Sequence, residues 1–282
     1  MAGVIAVITP ERRIEKNVYD VEAWNLMLRD AQRRNIDQTR HFYEKLVGRF
    51  PNAGRFWKAY IEHEMIHLHM YKQQSIFHLY NSYIAKIGTN KVTCVILRHG
   101  QGLITKSVYV VIFLTSEQPN LVLCKLWTMK SQLKAKCLEN VEKLFQRSLI
   151  KILNIDLWKT YLNYVRDTKS HLPQFREKMA QAYDFALDKV GLDMLSYGVF
   201  NDYVQFLKAV PAVGTFAENQ KISAIRKVYL KGIATPLLNI EILWGEYCVF
   251  ERSVNPTLAE KLIAEKSKDY QNARRVSKSM ET

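Results

Sequence analysis

The sequence predicts an all-α fold, an α–α superhelix of helix pairs that is interrupted by a non-repeat insert. Three observations predict it. An aromatic residue recurs five times in the same helical register, and a second aromatic-rich run follows each copy. Glycine and proline are scarce, with 11 and 7 among 282 residues. Because all-β proteins use both residues freely in their turns, this scarcity favours helices.

The first recurring element, helix A, carries two large side chains three positions apart. Because side chains at this spacing share one face of a helix, the pattern predicts a buried stripe. The weakest copy has methionine instead of tyrosine at the second position. The pairs are Trp24 with Met27, Trp57 with Tyr60, Trp158 with Tyr161, Phe200 with Tyr203, and Trp244 with Tyr247.

The second recurring element, helix B, carries one central aromatic residue among aliphatic neighbours, and its last copy begins near Leu258. Neither helix can bury its stripe alone, whereas stacked pairs can. Glycine or proline is predicted to end these helices at Pro51, Gly191, Gly232 and Pro236. The predicted repeat-core residues are Trp24, Tyr43, Trp57, Tyr60, Phe145, Trp158, Tyr161, Tyr183, Phe200, Tyr203, Tyr229, Trp244 and Tyr247.

The spacing of the copies predicts an N-terminal extension over residues 1–18 and a repeat array over 19–282, with an insert at about 73–140. Neighbouring helix A copies lie 33, 42 and 44 residues apart, but Trp57 and Trp158 lie 101 apart. Residues 73–140 have 8 Lys and Arg against 2 acidic residues, hold three of the four cysteines, and contain two strand-like runs, 92–97 and 108–114. We expect the insert not to pack with the repeats. It is either a translated intron or a lineage-specific loop.

Composition limits the possible functions. A formal charge of +14 suggests acidic partners such as RNA, or a basic solvated surface. The four cysteines show no C-x-x-C spacing, which argues against a zinc module and a disulfide framework. No apolar run reaches the length of a membrane span, and the apolar residues 2–10 lack the basic start of a signal peptide.

One short motif matches a zinc-protease helix, in which two histidines one turn apart bind zinc and a glutamate acts as base. It consists of His63, Glu64 and His67. Glu64 stands seven residues after Trp57, as Glu251 stands seven after Trp244, so the repeat already accounts for it. We therefore expect exposed helix positions, no metal, no cofactor and no catalytic residue. A zinc hydrolase is kept as an alternative.

Several stretches resemble a known family closely. The repeats resemble half-a-TPR (HAT) repeats, and the sequence is similar to the suppressor-of-forked family, the large scaffold subunit of the cleavage stimulation factor. The resemblance covers about 11–72 and 140–282 and omits the insert. It is carried by AGRFWKAYIEHE (53–64), VEKLFQRSL (141–149), LWKTYLNYVRDTK (157–169), EKMAQAYDFALDKVG (177–191), AVGTFAENQKISAIRKVY (212–229) and YQNARRVSK (270–278).

The resemblance implies a nuclear, non-enzymatic scaffold of pre-mRNA cleavage and polyadenylation. Its partners would be protein subunits of that machinery, with RNA contacted mainly through them and no membrane involved. The family forms homodimers through a second repeat array, which this sequence does not contain. A HAT scaffold of splicing or ribosomal-RNA processing is the other alternative.

Overall fold

The computed structural model describes residues 9–73, 95–97, 110–112 and 119–281, and the side chains of 9–70, 128 and 131–281. These residues form eleven α-helices and one antiparallel pair of three-residue strands. The predicted all-α fold is confirmed. The helices are α1 Pro10–Lys16, α2 Val21–Ala31, α3 Ile36–Arg49, α4 Gly54–Gln73, α5 Pro119–Leu149, α6 Ile155–Lys169, α7 Phe175–Val190, α8 Tyr197–Ala209, α9 Thr215–Ile233, α10 Ile240–Val254 and α11 Pro256–Glu281. The strands are β1 Val95–Leu97 and β2 Val110–Ile112.

Side chains and prolines fix several helix starts. Asp20 caps α2 by accepting a hydrogen bond from the backbone N–H of Ala23 at 3.0 Å, and Asn154 caps α6 through Leu157 at 3.0 Å. Both satisfy backbone donors that the first helical turn leaves unpaired. Prolines begin α1, α5 and α11, where a missing N–H costs nothing.

The predicted helix ends are mostly correct, with one exception. Helix α3 ends before Pro51, and α7 ends before Gly191. Gly232, however, lies inside the last turn of α9 and does not end it. A Cβ at this position would lie 2.5 Å from Leu243 and 3.1 Å from Phe200, so glycine is needed there for close helix packing.

The described residues up to 150 form one compact unit. In it α4 and α5 pack antiparallel with a register fixed by two contacts. The guanidinium of Arg147 lies 5.2 Å from the ring centre of Trp57, and His67 Nδ1 lies 3.7 Å from Cys137 Sγ. The second contact is ten residues further along α4 and ten residues back along α5, so Gln73 lies opposite position 131.

This register places the C-terminal boundary of the insert before the expected position of about 140. We predicted that residues up to about 140 stay apart from the repeats, but Cys137 is buried against α4, and α5 begins at Pro119. The physical reason is that no glycine or proline follows Pro119 until α5 ends, so the helix continues through the expected boundary. The residues of the expected insert that precede position 131 are 74–130, and most of them lie outside the described residues.

Residues 151–282 form the second compact unit, which contains helices α6 to α11. Its paired helices are antiparallel as well: Trp158 contacts Phe185 of α7 edge to face at 5.2 Å, and Trp244 of α10 stacks on Tyr270 of α11. Helix α11 covers the predicted last helix B. Within the described ranges, no helix combines the length and apolarity needed to cross a membrane.

Candidate functional site

The predicted core residues occupy equivalent places in the helix pairs. Eleven of the thirteen are buried, and Trp158, Tyr43, Tyr183 and Tyr229 have no exposed surface. Tyr161 and Trp244 are only half-buried. The ring of Trp244 lies flat on Tyr270, with centroids 4.4 Å apart and an interplanar angle of 3°. The aromatic stripes therefore form cores, and one of their members, Trp24, also lines a groove between α1, α2 and α3.

A helix B tyrosine meets the tyrosine of the next helix A in three places. The rings of Tyr43 and Tyr60 are stacked 4.8 Å apart, with 7° between their planes. Those of Tyr183 and Tyr203 are stacked 4.7 Å apart at 8°. The third pair, Tyr229 with Tyr247, is tilted at 6.0 Å. Each contact joins one helix pair to the next through large apolar surfaces, which stabilises the stacking of the repeats.

The hydroxyl groups of these tyrosines reach polar partners at the edge of the core. Tyr60 donates to Glu44 at 3.1 Å, while Arg166 donates to Tyr183 at 2.7 Å and Lys208 to Tyr229 at 3.0 Å. Burial is the largest cause that raises the pKa of these phenols, and it raises that of Tyr247 to about 12. The phenols are therefore neutral at physiological pH, and they serve as packing groups with satisfied hydroxyls.

A buried ion pair accompanies two of the three tyrosine contacts. Glu64, which is 1% exposed, accepts hydrogen bonds from Arg40 Nε at 2.7 Å and from Nη2 at 3.3 Å. Glu251, also 1% exposed, accepts bonds from Arg226 Nε at 2.6 Å and from Nη2 at 2.8 Å. Such two-pronged contacts are strong and geometrically specific. The carboxylate raises the pKa of each arginine, which stays charged.

These arginines are not among the residues predicted from the sequence, although the sequence contains a signal for them. Each lies three residues before the helix B tyrosine, and its glutamate lies four residues after the next helix A tyrosine. Where the tyrosines are Tyr183 and Tyr203, the same positions hold Ala180 and Leu207, so both charges are replaced together. Pairing the two helices by their tyrosines would have shown that the charges meet.

The zinc-protease match is corrected by the structure. We expected its three residues to be exposed, but all are buried, because this face of α4 packs on α3. His63 Nδ1 lies 2.9 Å from the Tyr43 hydroxyl, and its Nε2 lies 3.1 Å from the carbonyl oxygen of Arg34. Both ring nitrogens are thus engaged, and Glu64 is bound by Arg40. In the described part of the chain, no three His, Cys, Asp or Glu side chains group as a metal site.

The indole N–H groups of the tryptophans differ in their hydrogen bonding, which the sequence did not indicate. Trp24 donates to the carbonyl of Val18 at 2.8 Å, and Trp57 donates to that of Pro51 at 2.9 Å, in each case six residues back. The buried Nε1 of Trp158 has no hydrogen-bond partner among the described residues. Its ring is held by packing alone.

The sequence was compared with the profiles of known protein families. The sequence profile of the family described as "Suppressor of forked protein (Suf)" matches residues 6–87 and 105–282. The chain belongs to this family. The unmatched residues 88–104 lie inside the insert that the sequence predicts.

Individual relatives include one that is named for mRNA 3′-end processing. "Protein suppressor of forked" of Drosophila melanogaster is 40% identical over 279 residues, which are 99% of this chain and 28% of that protein. "mRNA 3'-end-processing protein rna14" of Schizosaccharomyces pombe is 43% identical over 135 residues, 48% of this chain and 18% of that protein. A solved structure, described as "Crystal structure of CstF-77", matches with a TM-score of 0.45 and 24% identity, over 54% of this chain and 32% of that one.

The Suf-family chain thus spans less than a third of the length of these relatives. In the described part of this chain, helix pairs stack through tyrosines and buried ion pairs. The described side chains provide broad helical surfaces and cores, and they group no triad of metal-binding residues.

Proposed function

We propose that this chain is a non-enzymatic protein–protein scaffold of pre-mRNA 3′-end processing that acts in the nucleus. The observation that carries the proposal is membership of the Suf family, together with relatives named as 3′-end-processing proteins. Stacked helix pairs support it, because repeat arrays offer extended surfaces for partner proteins.

The absence of catalysis is part of the same proposal. Tyr43 and Arg34 engage the nitrogens of His63, and Arg40 binds Glu64, so the zinc-hydrolase alternative has neither a free ligand at His63 nor a free base. We propose further that the partners are protein subunits of the cleavage and polyadenylation machinery, and that RNA is contacted mainly through them. The family resemblance implies these partners, and it also implies homodimerisation.

A chimera tests the proposal. The matching segment of Drosophila suppressor of forked is replaced by this chain, and the tagged chimera is purified from nuclear extract for mass spectrometry. We expect 3′-end-processing proteins to co-purify, and the extract to cleave pre-mRNA at its 3′ end after the native protein has been depleted. Co-purification of splicing or ribosomal-RNA processing factors in their place would favour the other HAT scaffolds and contradict the proposal.

A matched variant separates scaffolding from folding. Arg226→Met breaks a buried ion pair between two repeats, whereas Arg252→Met of α10 breaks the exposed pair with Glu260 of α11. We expect the first variant to lose partners in proportion to its loss of helical structure and the second to retain them. Zinc-dependent hydrolysis by the purified chain would overturn the non-enzymatic assignment.

A further inference from the structure

The first helix A has a groove where the helices A of Tyr60 and Tyr203 have a neighbouring helix B. In the described residues, Tyr60 and Tyr203 are each covered by a tyrosine of the preceding helix B, Tyr43 and Tyr183. The equivalent side chain in the first copy is Met27, three residues after Trp24. Met27 instead lines a groove of about 480 Å³ between α1, α2 and α3.

The groove is walled on its third side by α1, which is much shorter than any helix B. It has seven residues and none of them is buried, whereas the helices B run from 14 to 31 residues. Pro10 and Ile14 of α1 line the groove, together with Phe42 and Lys45 of α3. Its lining is thus partly apolar, and its charged members are Glu11, Lys45 and the ion pair of Arg34 with Asp30.

The lysine stands at a position that meets an acidic residue in other repeats. Two residues after the helix B aromatic, Arg147 pairs with Glu44 of the preceding helix B at 2.9 Å, and Lys231 pairs with Asp188 at 2.6 Å. Lys45 is the equivalent residue in the first helix B, two residues after Tyr43. It is exposed and forms no ion pair with any described residue.

We propose that this groove binds an amphipathic α-helix of a partner protein. That helix presents an aromatic side chain to Met27 and acidic side chains, one and five residues later, to Lys45. The chemistry is that of the internal helices B, in which Tyr43 is followed by Glu44, and Tyr183 by Asp184 and Asp188. Apolar burial supplies the affinity and the ion pair fixes the register, as in helix-in-groove recognition. The inference does not depend on the proposed role in RNA processing.

The probe is a synthetic peptide of residues 175–191, capped at both ends, which is itself a helix B. The full chain is labelled with ¹³C at its methionine methyl groups, and the peptide is titrated into it by NMR. We expect the Met27 methyl resonance to shift and saturate with peptide. Two variant peptides are compared with it, one with Tyr183→Ala and one with both Asp184→Lys and Asp188→Lys. Each is expected to bind at least about tenfold more weakly.

A charge exchange makes the test specific. Lys45→Glu changes an exposed side chain and should lower the affinity for the unmodified peptide by about tenfold or more. The peptide with both lysines should recover most of that lost affinity. Lys178→Glu on α7 has the same charge change outside the groove and should leave the affinity unchanged.

Three results would overturn the proposal. One is a peptide affinity that is insensitive to Lys45→Glu or does not shift Met27. Another is concentration-dependent self-association that Lys45→Glu abolishes, which would make a second copy the occupant. The third is peptide binding that occurs only after residues 2–8 are deleted, which would make this segment of the chain the occupant.

Discussion

Arg226 donates two hydrogen bonds to the buried carboxylate of Glu251, and the same pair, Arg40 with Glu64, lies between α3 and α4. Each pair joins a helix B to the next helix A beside stacked or tilted tyrosines. Burying a carboxylate costs desolvation free energy unless the carboxylate is fully paired. Because each pair forms only when the two helices are correctly aligned, these arginines hold the helices in one register.

Removing one partner of this pair should be more harmful than removing both. We expect Arg226→Met to lower the free energy of unfolding by about 3 kcal/mol, since it leaves Glu251 buried and unpaired. The double variant Arg226→Ala with Glu251→Leu should recover at least half of that loss, because Ala180 and Leu207 occupy the same positions naturally. Urea unfolding, followed by circular dichroism, measures both.

The control is Arg252→Met, which removes an exposed pair with Glu260. Exposed pairs contribute about 0–1 kcal/mol, so it should change stability little. A double variant as unstable as the single one would show that the buried charge is not the cause of the loss.

Truncation of a core tryptophan should reveal the packing that sequence periodicity predicted. Trp158→Ala is expected to cost about 3–5 kcal/mol, because the ring is fully buried and contacts Phe185 edge to face. Trp244→Ala should cost clearly less, because this ring is half-buried on Tyr270. Thermal unfolding ranks the two, and an equal loss would contradict the difference in burial.

The sequence predicted the apolar part of the fold and missed its polar part. Periodicity identified Tyr60 and Tyr203 as buried because a repeated stripe must face a core. It could not reveal that His63 is buried, since the spacing of one motif does not say which neighbouring helix covers it. The unpaired indole of Trp158 and the burial of Cys137 likewise depend on how helices pack, which no local pattern contains.

His63 should make stability depend on pH. Burial lowers the pKa of this imidazole, which lies beside Glu64 and His67. In the unfolded chain, a histidine has the ordinary pKa of about 6.5. Below that pH the unfolded state binds more protons than the folded state, so stability is lost as the pH falls. We expect the free energy of unfolding to drop between about pH 7.5 and 5.5.

The variant His63→Gln removes the titrating group while it keeps a side chain able to bond Tyr43 and the Arg34 carbonyl. Its unfolding free energy should depend less on pH than that of the native chain over the same range. His171→Gln, an exposed position in the turn after α6, serves as the control and should keep the native pH dependence. Equal slopes for His63→Gln and the native chain would contradict the assignment.

The insert offers the last prediction, because the α4–α5 register gives it defined limits. Removing residues 74–130 leaves 31 residues between Trp57 and Phe145, close to the 29 between Phe200 and Tyr229. We expect a chain in which a four-residue Gly/Asn linker replaces 74–130 to keep its remaining helices and its unfolding temperature, because loop length adds closure entropy only logarithmically.

A longer deletion, 74–139, tests the boundary that the sequence alone suggested. It removes Cys137, which is buried beside His67, and therefore exposes part of α4. We expect this variant to lose about 2 kcal/mol or more relative to the shorter deletion, as for the loss of several buried contacts. Calorimetry of both variants decides between the limits. If the shorter deletion unfolds the chain, residues 74–130 belong to the folded repeats; if both deletions are neutral, the packing of α5 before position 140 contributes nothing.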